Sequence, residues 1–253
     1  AWRPTENSLY YANVAQGFRS GGINTGDALI QGTLAGIDIP SEIEPDEVIS
    51  YEIGGKWTLL NDRLNIEAVV YFLDWDDIQA LLLGVGDAGL FGYVLNTEGA
   101  EGTGFEFGVD YRMGALTLSA AGNVNDTAYA GSTPDAGIFD GTEIRLSPDT
   151  TLSASATYGW SMGALNGVAF AGRSYFSDRT DYSAPLFSYT SDSITLVNAR
   201  IGVEGQTWSA YLTGENLTDE DGEFSQIASL AQLGVDANRV RPLTLGIEVN
   251  YRF

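Results

Sequence analysis

Alternation of apolar and polar residues with a period of two runs through most of this chain, and it constrains the fold more than any other feature. Between residues 243 and 253 every second residue is apolar, and the residues between them are polar or glycine. Because neighbouring side chains of a β-strand point to opposite faces, this pattern predicts a strand with one apolar face. The alternation is also clear over 64–72, 104–113, 151–160 and 207–215, and weaker over 8–18, 50–59, 116–126, 168–177 and 194–204. No segment shows a sustained helical period with capping residues.

The connections between these segments alternate in length. Short connections lie at 61–62, 114–115, 161–165 and 205–206, and long ones at 19–46, 76–95, 127–148, 178–193 and 218–238. The strands have about the nine to eleven residues that a tilted strand needs to cross a bilayer. Tight turns at one end and long loops at the other are typical of outer-membrane barrels. The sequence therefore predicts an all-β, antiparallel transmembrane β-barrel with about ten strands present.

Composition excludes several classes of function. The 253 residues include 12 Lys and Arg against 34 Asp and Glu, and the net charge of -22 argues against nucleic-acid binding. The chain has neither His nor Cys, so it has no Ser-His-Asp triad and no His- or Cys-ligated metal site. No apolar run is long enough to predict a transmembrane helix. We expect no catalytic residues, no metal site and no cofactor.

Three local motifs nominally suggest chemistry, and each has a simpler interpretation. Residues 84–89 match the G-x-G-x-x-G dinucleotide pattern, but residues 90–99 after them are poor helix formers, so we expect a glycine-rich loop. The acidic segment 219–223 lacks the spacing of a calcium-binding loop and is expected to be a solvated loop. Asp76 and Asp77 are adjacent on a strand end and point to opposite faces, which is unsuited to acid–base catalysis. An enzymatic function is therefore disfavoured.

A series of motifs resembles a known family in the family's own order. The motifs occupy 10–24, 50–57, 65–79, 104–106, 198–202, 215–219 and 251–253. Together they resemble the β-barrel of TonB-dependent outer-membrane receptors, which implies a barrel of about 22 strands around a plug domain. Residues 1–253 would then be the C-terminal portion of that barrel, with the plug domain and earlier strands outside this chain. Ala1–Arg3 would be the tail of an earlier strand, and a closed barrel of about ten strands is the alternative.

The resemblance also implies a function. It implies a receptor and transporter in the outer membrane of a Gram-negative bacterium, which takes up a scarce small-molecule ligand, most often a ferric siderophore. Its other partners would be outer-membrane lipid, TonB acting through the plug domain, and the barrel-assembly machinery. The aromatic C-terminal residue Phe253 resembles the signal that this machinery reads. The alternative is an autonomous, porin-like barrel for passive diffusion.

Alternation also assigns side chains to the two faces of the wall. The residues that we expect to face the lumen, as candidates for ligand binding, are Glu52, Lys56, Glu106, Asp110, Arg112, Asn198, Arg200 and Glu215. Aromatic residues near strand ends are expected either to form a girdle at the membrane interface or to pack across strands: Trp57, Tyr158, Trp160, Trp208 and Tyr251.

Overall fold

The computed structural model describes residues 1–87, 89–184, 187–225 and 238–252. These residues form strands, one α-helix, α1 (Gly26–Ala35), and a 3-10 turn at Pro134–Ala136. The strands are β1 (Trp2–Thr5), β2 (Ser8–Arg19), β3 (Gly22–Ile23), β4 (Glu42–Ile43), β5 (Asp46–Leu59), β6 (Leu64–Asp76), β7 (Gln79–Gly86), β8 (Gly89–Asn96), β9 (Gly99–Met113), β10 (Leu116–Tyr129), β11 (Thr150–Met162), β12 (Leu165–Phe176), β13 (Thr180–Ala184), β14 (Phe187–Thr190), β15 (Ile194–Glu204), β16 (Trp208–Glu215), β17 (Glu223–Ser225), β18 (Asn238–Arg239) and β19 (Thr244–Tyr251). The α1 helix is not long and apolar enough to cross a membrane, and the described residues include no other α-helix.

Eleven strands form a single antiparallel wall. Their order is β1-β2-β5-β6-β9-β10-β11-β12-β15-β16-β19, so each wall strand pairs with the next wall strand along the chain. All ten predicted strands are confirmed, and the expected tail of an earlier strand is β1. Within the described residues β1 and β19 are the two edges and do not pair with each other. The wall is therefore open, unlike the closed barrel that was the alternative.

The pairing register divides the wall into a polar and an apolar face. Residues directly opposite each other in an antiparallel pair point to the same side. The apolar side carries large exposed apolar side chains: the exposed fraction is 66% for Val14, 72% for Ile53 and 77% for Ile247. We call this side the outward face and the polar side the inward face.

The two ends of the wall differ as the sequence predicts. At the short-turn edge, β5 and β6 are joined through Leu60, Asn61 and Asp62, whose φ angles of 56°, 55° and 64° are left-handed. The other end, which we call the long-loop edge, carries the five long connections. Several strands extend further toward it than the alternation predicts; β9, for example, begins at Gly99 rather than at residue 104. Backbone pairing continues there although the side chains no longer alternate.

The predicted aromatic residues all lie on the outward face near the short-turn edge. Trp57 precedes the end of β5 by two residues, and its indole Nε1 donates a hydrogen bond of 3.0 Å to the Tyr10 hydroxyl. Trp208 begins β16 and lies opposite Tyr251, the last residue of β19. The rings therefore form a row along one edge and pack across strands as well, so both expected roles are compatible.

The main apolar core lies in the loops rather than in the wall. It joins α1, the β7–β8 hairpin and the connection between β10 and β11, and we call it the loop core. Its most buried members include Tyr93, which is 1% exposed, and Leu82, which is 2% exposed. The complete set is Ala28, Ile39, Ile78, Ala80, Leu82, Phe91, Tyr93, Leu95, Ala100, Tyr129, Ala136 and Ile138.

Two elements of the loop core differ from the sequence-based expectation. The α1 helix was not predicted: the Thr25 hydroxyl caps it by accepting from the Ala28 amide at 3.2 Å, and Gly36 ends it with a φ of 74°. Only Ala28 and Gly32 are buried, so the helix has no apolar stripe to detect in the sequence. The glycine-rich segment is the β7–β8 hairpin, and a Cβ at Gly84 would lie 2.4 Å from the Phe91 ring.

A nearly buried carboxylate ties the loop core to the wall. Asp46, the first residue of β5, is 2% exposed and accepts hydrogen bonds from Arg19 Nε at 2.8 and 3.0 Å. It also accepts from the Gln79 amide at 3.1 Å, at the start of β7. The Arg19 guanidinium in turn lies 5.1 Å from the centroid of the Trp75 ring. One side chain therefore links β2, β5 and the hairpin.

Candidate functional site

All eight predicted lumen residues lie on the inward face. The register aligns Glu52 with Tyr71, Asp110 with Ser119, and Arg200 with Thr213, so the polar rows continue from strand to strand. The eight residues are nevertheless spread over four strands. The five on β5 and β9 lie apart from the three on β15 and β16.

Most of these five residues are engaged with neighbours on the same face. Lys56 Nζ lies 2.6 Å from Glu67 Oε1, with both side chains about half exposed. Glu106 accepts from Asn123 Nδ2 at 3.3 Å, and Asp110 accepts from the Ser119 hydroxyl. Ser50 donates to Glu52 at 3.3 Å. Arg112 has no side-chain salt bridge to another described residue. This part of the wall is a polar lining rather than a formed site.

The other three residues, Asn198, Arg200 and Glu215, meet in a cavity. The cavity has a volume of about 440 Å³ and lies between the inward face of β15, β16 and β19 and the segment before β19. We call it the arginine pocket and define it by its polar lining: Asn198, Arg200, Thr213, Glu215, Asn216, Arg239, Arg241 and Glu248. It contains three of the 12 basic residues of a chain whose net charge is -22.

Each arginine of the pocket is oriented by a neighbour. Arg241 Nη1 lies 3.2 Å from Glu215 Oε2, and Arg239 Nη2 lies 2.7 Å from Glu223 Oε1. The Arg200 guanidinium lies 5.0 Å from the centroid of the Tyr211 ring, a cation–π geometry. The three arginines are exposed, whereas the Tyr211 ring is buried. The guanidinium groups are thus held in place while remaining accessible to an anion.

Asn216 holds the segment that carries Arg241 against the wall. Its side-chain amide donates to the carbonyls of Glu220 at 2.7 Å and Arg241 at 2.9 Å. Its side-chain Oδ1 accepts from the backbone amide of Glu220 at 2.8 Å. The backbone amide of Asn216 donates to Asn198 Oδ1 at 2.9 Å. The residue is 3% exposed and has a φ of 49°, a left-handed conformation that Asn tolerates. This network connects the end of β16 to both sides of the pocket.

Glu223 also joins the pocket to the β13–β14 hairpin. The Tyr189 hydroxyl donates to Glu223, and the Glu223 amide donates to Asp192 Oδ2 at 3.1 Å. Burial, followed by the hydrogen bond to Glu223 and the negative charges of Glu223 and Asp192, raises the pKa of Tyr189 to about 12. The Tyr189 phenol therefore stays neutral and can donate this hydrogen bond.

The acidic segment 219–223 uses its carboxylates to cap backbone amides. Asp219 Oδ1 accepts from the Leu243 amide at 3.0 Å, and Glu220 Oε1 accepts from the Gly222 amide at 3.2 Å. In the described ranges no three His, Cys, Asp or Glu residues are grouped so that they could hold a metal ion. This segment supports the loop around the pocket.

Sequence reasoning missed five polar residues of the pocket, which are Thr213, Asn216, Arg239, Arg241 and Glu248. Thr213 and Glu248 follow the same alternation as Asn198 and Arg200, so the register of β16 and β19 would have found them. Arg239 and Arg241 lie in the segment before β19 and reach the pocket only because that segment folds back over the wall. The only sequence signal for them was that two arginines lie two positions apart in a chain with few basic residues. Phe253, the predicted assembly signal, lies outside the described residues.

Comparison with known proteins agrees with this architecture. The family model "TonB dependent receptor-like, beta-barrel" matches residues 1–217. The probable TonB-dependent siderophore receptor PiuA of Acinetobacter baumannii is 23% identical over 162 residues, which cover 62% of this chain and 21% of that protein. The ferric yersiniabactin uptake receptor FyuA from Yersinia pestis superposes with a TM-score of 0.75 at 15% identity, over 100% of this chain and 36% of that one. The structure of PiuA gives a TM-score of 0.72 at 18% identity, over 99% and 34%.

The fold and the family match define the class of protein. The chain is all-β, and the family and the solved structures that it matches are transport receptors rather than enzymes. The chain belongs to the family of TonB-dependent receptors. It spans about a third of the length of the solved receptors that it matches.

Proposed function

We propose that residues 1–253 form the C-terminal portion of the barrel of a TonB-dependent receptor in the Gram-negative outer membrane, and that the receptor takes up a ferric siderophore. Family membership supports the location and the dependence on TonB. The free edge of β1 supports a larger barrel, because an unpaired strand in hydrocarbon leaves backbone groups without partners. In this arrangement the long-loop edge is extracellular and the short turns are periplasmic.

The arginine pocket is the observation that supports an anionic ligand. Its volume of about 440 Å³ lies within the range of small-molecule sites, roughly 300–1,000 Å³. Arginine forks match the paired oxygens of carboxylates and similar anions, and they do so more specifically than lysine. Three oriented guanidinium groups, Arg239 and Arg241 at the long-loop edge and Arg200 near the middle of β15, therefore favour an anionic chelate. The siderophore receptors among the similar proteins support iron as the metal carried.

The remaining partners follow from this proposal. TonB would act through a plug domain outside this chain, and the inward polar face would line the path of the ligand past that domain. The barrel-assembly machinery would read Phe253, and the outward face would contact outer-membrane lipid.

Uptake of radioactive iron by cells that express the full-length receptor tests the proposal. The probes are ferric citrate, a ferric tris-catecholate and a ferric tris-hydroxamate, each given with and without TonB. We expect saturable uptake of one probe that is lost without TonB. Arg200→Gln should raise the half-saturating concentration by about tenfold or more, the effect of losing one charge-assisted contact. Arg112→Gln removes a cation from the same face outside the pocket and is the matched control.

Two results would contradict the proposal. Uptake that does not saturate and persists without TonB would favour the passive, porin-like alternative. Equal effects of Arg112→Gln and Arg200→Gln would remove the assignment to the arginine pocket, because a general loss of positive potential would then explain both.

A further inference from the structure

A single basic side chain interrupts the apolar outward face. From β2 to β19, Arg173 on β12 is the one cation that the described wall strands present to this side. Its direct neighbours across the strands are Ala154 and Val197, both apolar. The residue is exposed and forms no salt bridge with another described residue. The wall itself therefore does not compensate this charge.

Arg173 also borders an apolar cavity. The cavity has a volume of about 320 Å³, and Phe107, Leu152, Ala154 and Tyr175 line it with Arg173 as the one charged side chain. These five residues all belong to the outward face. Gly122 lies beside it, and a Cβ there would come within 2.5 Å of Leu152 Cδ2 and 2.8 Å of Phe107 Cε1. The apolar side chains lean over the glycine and leave a depression next to the cation.

We propose that this cavity binds a phosphorylated lipid of the outer leaflet, with an acyl chain against its apolar lining and the phosphate on Arg173. A charged side chain on the lipid face costs about 2–4 kcal/mol at the midplane and much less near the interface. Arg173 lies three residues before the end of β12 at the long-loop edge, roughly 10 Å along the strand. A flexible arginine at that depth can extend to the headgroups, where phosphate is the abundant anion.

The proposal goes beyond ligand uptake and shares only the membrane orientation with it. The guanidinium fork can donate two parallel hydrogen bonds to one phosphate, so the site should prefer phosphorylated lipid over the same lipid without phosphate. The cavity should add specificity for a chain at a fixed position on the barrel surface. Without the cavity, an exposed cation would attract lipid phosphate but would not bind one lipid at a fixed position.

Native mass spectrometry of the detergent-purified full-length receptor tests this site. The probes are hexa-acylated, bis-phosphorylated lipid A and the same lipid with its phosphates removed. We expect the wild type to retain one phosphorylated lipid and Arg173→Gln to need about tenfold more lipid for equal occupancy. Arg173→Lys should fall between them. Arg63→Gln is the control, because Arg63 donates to the Leu60 carbonyl at 3.0 Å in a turn of the opposite edge.

Several outcomes would overturn the proposal. They are a wild type that retains neither lipid, equal retention of both lipids, or an Arg173→Gln receptor that melts at the wild-type temperature and binds equally well. Displacement of the lipid by inorganic phosphate would indicate an ion site instead. A receptor that retains the lipid but takes up none of the ferric probes would refute the uptake proposal and leave this one standing.

Discussion

At the scale of single residues, polar side chains near the long-loop edge mainly hold loops in place. Asn216 makes three side-chain hydrogen bonds, and Glu223 connects Tyr189 with Arg239. Neither residue is a candidate for chemistry, yet both decide where the arginines of the pocket lie. Ligand affinity should therefore depend on residues whose own side-chain polar groups are already bonded to the protein.

The Tyr189 phenol should lose its proton at an unusually high pH. Its pKa in the folded protein is raised to about 12, above the ordinary value of 10.0, so the folded state keeps a proton that the unfolded state releases. The resulting stabilisation is present below pH 10 and is lost as the pH rises toward 12. The absorbance of ionised tyrosine, measured as wild type minus Tyr189→Phe, should show one step near pH 12. Glu223→Gln should lower that midpoint, and a step near pH 10 in the wild type would contradict the assignment.

At the scale of elements, the Asp46 contact determines whether the β7–β8 hairpin stays on the wall. Asp46→Ala leaves the Gln79 amide without its acceptor, at a cost of about 1–3 kcal/mol, and also removes the ion pair with the half-exposed Arg19 guanidinium. Hydrogen exchange should accelerate about tenfold or more in residues 79–96 and stay unchanged in the paired core of β9 and β10.

The control for this experiment is Glu67→Gln, which breaks the half-exposed pair with Lys56. Exposed pairs contribute about 0–1 kcal/mol, so little change is expected. If Asp46→Ala and Glu67→Gln changed exchange in the hairpin equally, the carboxylate would not be its anchor.

The face assignment of β11 gives a second prediction at this scale. Ala156 points outward near the middle of the strand and lies opposite Leu118 and Ala171, whereas Ser155 points inward, opposite Ser119 and Gly172. Ala156→Arg should lower the amount of inserted receptor strongly, because it places a charge in hydrocarbon. Ser155→Arg, with the same side chain one residue away, should be tolerated. Comparable insertion of the two variants, measured by heat-modifiable migration in membranes, would refute the face assignment.

The sequence predicted the wall well and the loops poorly, for a physical reason. A wall strand such as 151–160 separates two media along its whole length, so its own residues carry the pattern. The loop core instead depends on contacts between distant segments, such as Ala28 with the β7–β8 hairpin, and no short window contains them. The arginine pocket is intermediate: Asn198, Arg200 and Glu215 followed from alternation, whereas Arg239 and Arg241 reach it only through the position of the segment directly before β19.

At the scale of the whole molecule, the open wall makes the isolated chain dependent on a membrane or detergent. Two free edges and an exposed apolar face both favour association in water. Residues 1–253 expressed alone should aggregate in aqueous buffer, and detergent should restore solubility with a mixture of oligomers, as measured by light scattering. A single, detergent-free species of 27.1 kDa with a cooperative melt would contradict this reading of the wall.

Substitutions in this chain are constrained by two different environments, one at the outward face and one in the loop core. On the outward face, lipid accepts almost any apolar exchange, so Ile, Leu, Val and Phe should replace one another freely in related sequences. In the loop core, Tyr93 and Leu82 are packed on all sides, and only exchanges that preserve volume should survive there. The connections at the long-loop edge would otherwise be expected to vary fastest among related sequences. They should instead include a group of residues, the loop core, that varies more slowly than the outward face of the strands.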